Sequence, residues 1–146
     1  MIGIPLSLAK LTNGFDWEPI TIGHSEAMTF LLKGSHEHRY LKVQPVHTVE
    51  RLFDEKEKMK WLEGKLPVPR VLFYEKDEAN EYLLMSEIKG VNASDQSHRG
   101  NLPAVIESLG AGLMTIHSIG IGDCPFTQSL SVKIEEAKNR VAQGTC

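Results

Sequence analysis

Short runs rich in apolar and β-branched residues, separated by turn formers, occupy the first half of the chain: EPITIG (18–23), AMTFLLKG (27–34) and HRYLKVQP (38–45). They predict three strands, with GHSE and GSHE as tight turns, and hence an antiparallel meander. After Pro45 the spacing changes. HTVERLFDEKEKMKWLEGK predicts a helix that starts near Thr48 as N-cap and stops at Gly64. LPVPRVLFYEKD and NEYLLMSEIKG return to strand character around the turn KDEAN, which makes the order β-β-β-α-β-β.

From Gly90 the pattern is different. GVNASDQSHRGN is polar and turn-rich, too long for a tight turn, and reads as a boundary. Beyond it Leu102, Val105, Ile106, Leu109, Leu113 and Ile116 keep helical spacing, with Asn101 as cap and Pro103 in the first turn. IGIGDCPFTQ is a loop. Leu130, Ile134, Ala137 and Val141 form a narrower stripe on a further helix. These two stripes want more apolar cover than the chain provides, so self-association, as a symmetric dimer through the exposed helix faces, is expected.

The totals narrow the choice further. A chain of 146 residues suits one domain with a modest core, or one lobe of something larger. A net charge of −3 lacks the basic surplus that binding a phosphate backbone requires, so nucleic acid is not an expected partner. No apolar run approaches the ~20 residues of a membrane span. MIGIPLSLAK lacks the make-up of a signal peptide, and the expected location is cytoplasmic. Cys124 and Cys146 do not fit a disulfide framework or a zinc site, and HEH (36–38) reads as a polar turn. No metal site is expected in this chain.

In RYLKV, Leu41 and Val43 alternate with Tyr40 and Lys42. If only the Leu41/Val43 face is buried, Lys42 is a solvated surface lysine. If the Tyr40/Lys42 face lines a cleft, Lys42 needs an anionic partner there. The following helix offers one. Counting from Val49 at ~100° per residue, Leu52 falls near ~300°, Met59 near ~280° and Leu62 near ~220°. Glu55 falls near ~240°, inside that stripe, whereas Glu50, Asp54 and Glu57 point elsewhere, near ~80° to ~140°. A carboxylate on that face has to be neutralised or paired, and Lys42 is the natural cation. Such a pair is either a structural link between sheet and helix or the means by which kinases hold an ammonium against nucleotide phosphates.

Four segments resemble the aminoglycoside phosphotransferases that modify the 3′-hydroxyl of kanamycin-type antibiotics. They are YLKV (40–43), WLEGKLPVPRVL (61–72), YLLMSEIKG (82–90) and IHSIGIGDCPF (116–126), in that family's order and at similar spacing. The resemblance runs from about Trp17 to Val141. It implies an α+β, protein-kinase-like N-terminal lobe, a five-stranded antiparallel sheet plus one helix, followed by the first helices of the C-terminal lobe. Residues 1–90 would then be the nucleotide-binding small lobe, 91–100 the connector, and 101–146 the truncated start of the large lobe.

The resemblance further implies that Lys42 contacts the α and β phosphates, that Glu55 orients it, and that Tyr40 stacks on the adenine. Met85, Ser86, Glu87 and Ile88 would form the hinge, with the Ser86 carbonyl and the Ile88 amide on the adenine edge. Ser25, in the turn GHSEA, would offer its amide or hydroxyl to a phosphate. His117 reads as a hydrogen-bonded structural histidine beside a core stripe, and Asp123 as part of a structural turn. The family's reaction needs an Asp base in a His-Gly-Asp loop and a second Asp for magnesium. Neither HGD nor DFG occurs in the 146 residues. The resemblance therefore implies binding of ATP here, with magnesium ligands, catalysis and the aminoglycoside site in a C-terminal lobe outside this sequence. A non-catalytic nucleotide-binding or protein-interaction module of kinase-like fold is the other reading of the same residues.

Overall fold

The computed structural model of the chain describes residues 3–21, 27–48 and 50–144. A short helix, α1 (Leu6–Leu11), precedes strands β1 (Asp16–Ile20), β2 (Met28–Lys33) and β3 (His38–Pro45). Helix α2 (Leu52–Leu62) follows, then β4 (Val71–Lys76) and β5 (Asn80–Ser86). The connector holds one 3₁₀ turn (Gln96–His98), and α3 (Leu102–His117) and α4 (Leu130–Gln143) complete the order. The strands form a single antiparallel sheet in the order β1-β2-β3-β5-β4. The five strands and the helix between them are those the sequence predicts.

The alternation along β3 is resolved in an unexpected way, because both faces are covered. Leu41 and Val43 pack with Leu32, Tyr82 and Leu84, and Leu8 of α1 closes this cluster. On the other face Leu83 and Met85 of β5 meet Leu52 and Met59 of α2, with Tyr40, Val71 and Tyr74 at the margin. A bulge between Val71 and Phe73 shifts the parity of β4, so Val71 and Tyr74 share the α2 face although three residues apart. Helix α1 is an element that the sequence pattern missed. Six residues are too few to show a period, and the helix is held by one fully buried anchor, Leu8, and the Thr12 hydroxyl on the Leu8 carbonyl.

At the β2–β3 turn the Gly34 amide donates to the Glu37 carbonyl at 3.0 Å. A Cβ at Gly34 would lie 2.6 Å from that carbonyl and from the Phe15 ring, so the turn admits no side chain there.

The start of α2 corrects the sequence reading. Thr48 is not the N-cap: its hydroxyl donates to the Pro45 and Glu50 carbonyls, closing a turn, and the helix begins at Leu52. Its end agrees with expectation, since Gly64 takes the left-handed conformation (φ +79°) two residues beyond Leu62. Asn101 does precede α3, but its side chain makes no capping hydrogen bond.

Helices α3 and α4 turn their apolar stripes to solvent. Leu102, Ile106, Leu109, Leu113 and Ile116 are all more than half exposed, as are Leu130 and Val141. His117 is exposed too and belongs to no core, contrary to its reading as a structural histidine, because no described residue covers that face of α3.

Candidate functional site

Lys42 sits in mid-sheet, opposite Thr29 of β2 and Leu83 of β5. Directly opposed residues of antiparallel strands point to the same side, so Lys42 shares the α2 face with Leu83. Helix α2 lies there through Leu52 and Met59, which brings Glu55, between them in sequence, back toward the strand. The Lys42 ammonium donates to Glu55 Oε1 at 2.6 Å. The two side chains are 28% and 37% exposed. A pair this open contributes no more than about 1 kcal/mol to stability, so its consequence is geometric. It holds an ammonium at a fixed point on the floor of a cleft.

The Glu55 expectation needs one adjustment. The buried stripe of α2 is Leu52, Lys56 and Met59, and Glu55 lies at its edge. Lys56 is inside because its ammonium lies 4.1 Å from the Phe53 ring centre and 4.8 Å from that of Tyr74, while pairing with Glu57.

The cleft measures about 620 Å³, and its lining includes Lys42, Glu55, Gln44, Lys58, Phe126 and Lys133. It carries both signs of charge. Lys133 pairs with Glu136 at 2.8 Å on its far wall. The expected adenine-side residues do not line this volume. Tyr40 is partly buried against the Met85 cluster, opposite Met85 in register, and Met85 itself is only 5% exposed. Ser86 is fastened to the strand before it: its amide donates to the Arg70 carbonyl at 3.0 Å and its hydroxyl accepts the Arg70 amide at 2.9 Å. Ile88 is exposed beyond the end of β5, and among the described residues its amide makes no backbone hydrogen bond. Ser25 lies outside the described residues.

A second group of polar residues on the α2 face was not anticipated. Glu81 is 1% exposed, yet it is an acid. Its carboxylate accepts the Leu52 amide at 2.8 Å, the Tyr74 hydroxyl at 3.0 Å and the Arg51 guanidinium at 3.0 Å. Burial alone would push the carboxyl up, but these three donors outweigh it and hold Glu81 below the usual carboxylate range. Burial first, and then the Glu81 carboxylate, push the Tyr74 hydroxyl up to about 12. The parity of Glu81 with Leu83 and Met85, two and four residues on, is the sequence signal that could have found it.

Tyr74 carries a pH dependence. Between about 10, where tyrosine ionises in the unfolded chain, and about 12 the folded chain keeps a proton that the unfolded chain has released. Stability therefore falls across that window, by at most about 3 kcal/mol. Urea unfolding at pH 9.5 and 11.5, followed by tryptophan fluorescence, should show the fall. Tyr74→Phe should reduce it but not remove it, since burial also raises Tyr82.

Asp123 pairs with Lys65 at 3.3 Å on the surface, a link between the α3–α4 loop and the end of α2. Among the described residues no three His, Cys, Asp or Glu side chains are grouped so as to hold a metal ion. No helix among them is long and apolar enough to cross a membrane.

Comparison with known proteins places this geometry. The sequence profile of the phosphotransferase enzyme family matches residues 16–145. The chain is 38% identical over 133 residues to an aminoglycoside 3′-phosphotransferase of Enterococcus faecalis, a match covering 88% of this chain and 50% of that protein. It is similar in structure to a type VIII aminoglycoside-3′-phosphotransferase, with a TM-score of 0.78 and 28% identity, over 95% of this chain and 52% of the other. A more distant aminoglycoside phosphotransferase, 19% identical, shares the fold at a TM-score of 0.61 over 79% of this chain and 39% of its own; it was solved as a ternary complex with ADP and hygromycin B. The chain spans about half the length of the relatives it matches. With its kinase-like sheet lobe and the profile match along nearly all of its length, the chain belongs to the phosphotransferase enzyme family that includes the aminoglycoside 3′-phosphotransferases.

Proposed function

We propose that this chain is the N-terminal, nucleotide-binding portion of an ATP-dependent aminoglycoside O-phosphotransferase, one that transfers phosphate to the 3′-hydroxyl of kanamycin-type antibiotics in the cytoplasm and so confers resistance. The observation that carries the reading is the Lys42–Glu55 pair at 2.6 Å on the floor of the cleft. An ammonium oriented by a carboxylate is a point charge suited to the oxygens of a di- or triphosphate. In this reading Lys42 meets the α and β phosphates. Tyr40 stacks on the adenine, and the Ser86 carbonyl and Ile88 amide bond its edge beside Met85, with Ser25 at a phosphate. The unengaged Ile88 amide and the fastened end of β5 at Ser86 support the hinge assignment. Magnesium, which would offset phosphate charge, finds no ligand set among the described residues, and its ligands are proposed to lie in sequence beyond these 146 residues. The catalytic base and the aminoglycoside site are proposed to lie there as well.

Calorimetric titration with ATP tests the nucleotide site. Weak binding is expected, and Lys42→Ala should weaken it by about tenfold or more, the scale of one lost charge-assisted contact to phosphate. Binding of equal strength in Lys42→Ala would leave the pair as a structural link and favour the interaction-module reading.

A further inference from the structure

We infer that Glu81 is a positioning residue: its carboxylate caps α2 from the sheet and thereby sets where Glu55 meets Lys42. The need for a cap is evident in the helix itself. The first amides of a helix have no partner within it. At α2 the N-cap residue is Arg51, whose side chain caps nothing, and Leu52 is only 2% exposed, so water is not at hand. The missing acceptor comes from 29 residues downstream, as Glu81 on β5 accepts the Leu52 amide.

The placement of Glu81 couples that cap to Lys42. Glu81 faces Gln44, and Leu83 faces Lys42, on the same pair of strands. Glu81 and Leu83, the residues opposite Gln44 and Lys42, are thus one side-chain repeat apart on β5, so the helix cap and Lys42 lie on neighbouring positions of one face. Gln44 adds a second tether on the same pair, since its amide donates to the Thr48 hydroxyl and the Glu50 carbonyl in the segment leading into α2. Apart from the Lys42–Glu55 pair itself and the Lys56 ammonium over the Tyr74 ring, α2 is attached on this face through Leu52 and Met59, and apolar contacts have no direction. They would tolerate a slip that hydrogen bonds to Glu81 forbid. A slip of one residue turns the helix by ~100° and carries Glu55 away from Lys42. In kinases the position of this helix decides whether the site is assembled. Here a buried acid of the sheet fixes it.

The effect on nucleotide affinity rests on the proposed function, but the effect on Lys42 does not, and the test reads both. In the whole chain without nucleotide, the ¹H–¹⁵N signal of the Lys42 ammonium is expected to be visible at low temperature because Glu55 holds it, and Glu55→Gln identifies it by its loss. Glu81→Ala should lose that signal while near-ultraviolet dichroism shows the sheet still folded, and should weaken ATP binding by about three- to thirtyfold, the range set by a lost helix cap. Glu81→Gln keeps an oxygen for the Leu52 amide and gives up Arg51, so it should retain both signal and affinity. A merely structural Glu81 would lower the melting temperature and leave the Lys42 signal in place; that result in a folded Glu81→Ala overturns the inference. If Glu81→Ala does not fold, Glu81→Met, which fills the same space without accepting the Leu52 amide, decides, with loss of the Lys42 signal supporting the inference and retention overturning it. Absence of ATP binding by the unaltered chain would overturn the proposed function and leave the Lys42 test standing.

Discussion

Supplied with ATP, magnesium and kanamycin, this chain is expected to transfer no phosphate above the uncatalysed background, even if it binds ATP. Phosphoryl transfer rests on positioning and charge stabilisation, with little covalent chemistry for the protein to perform. In the proposed reading Lys42, held by Glu55, supplies one part of that machinery, a cation for the phosphates of the donor. An acceptor base and a metal clamp have to supply the rest, and their loss together removes most of the acceleration. The 146 residues contain no HGD tripeptide, and the described residues offer no group of three metal ligands. Asp123 is engaged with Lys65 at the surface and does not line the cleft that holds Lys42. The check is a coupled ADP-release assay with and without kanamycin, at enzyme concentrations high enough to see one turnover in an hour. Kanamycin-dependent turnover abolished by Lys42→Ala would show that a residue within this chain serves as the base.

How much of this could be read from the sequence depends on the range of the interaction. Strands β2 to β5 and the stop of α2 at Gly64 follow from local patterns, and the structure has them. The Lys42–Glu55 pair was also legible, because a helix angle and a strand parity suffice to put the two on one face. What failed was long-range. Thr48 has the chemistry of an N-cap, but the acceptor that starts α2 is Glu81, 29 residues away from Leu52, and no local pattern announces it. Lys56 looks like a surface lysine until Phe53 and the distant Tyr74 bring their rings to it. Leu8 is one of several leucines in a short helix, and only the Leu41/Val43 face across the fold makes it a core residue. The stripes of α3 and α4 were read correctly as apolar, yet the His117 reading assumed a cover that the chain does not supply.

That missing cover leads to the second large expectation, self-association of the chain through α3 and α4. A compact monomer of 16.3 kDa should expose about 7,500 Å². This chain exposes 10642 Å². The exposed apolar residues of α3 and α4 are part of that excess of about 3,000 Å², and a standard interface asks ~800 Å² of each partner. Its composition suits one as well. Ile106, Leu109 and Leu113 continue one stripe along α3, and Leu130, Ile134 and Val141 share one side of α4, where four of the charges pair as Lys133–Glu136 and Lys138–Glu135. A second copy presents the same surface and can cover it by a two-fold axis, which closes the assembly at a dimer. Light scattering behind size exclusion should give about twice the chain mass at tens of micromolar. Leu109→Glu together with Leu113→Glu should return the monomer mass without disturbing the sheet, since neither residue touches the two cores that hold it. Removing four leucines and burying four charges in the symmetric interface, two from each copy, costs several kcal/mol, enough to shift dissociation by more than a hundredfold. A monodisperse monomer of the unaltered chain at high concentration would rule out the dimer.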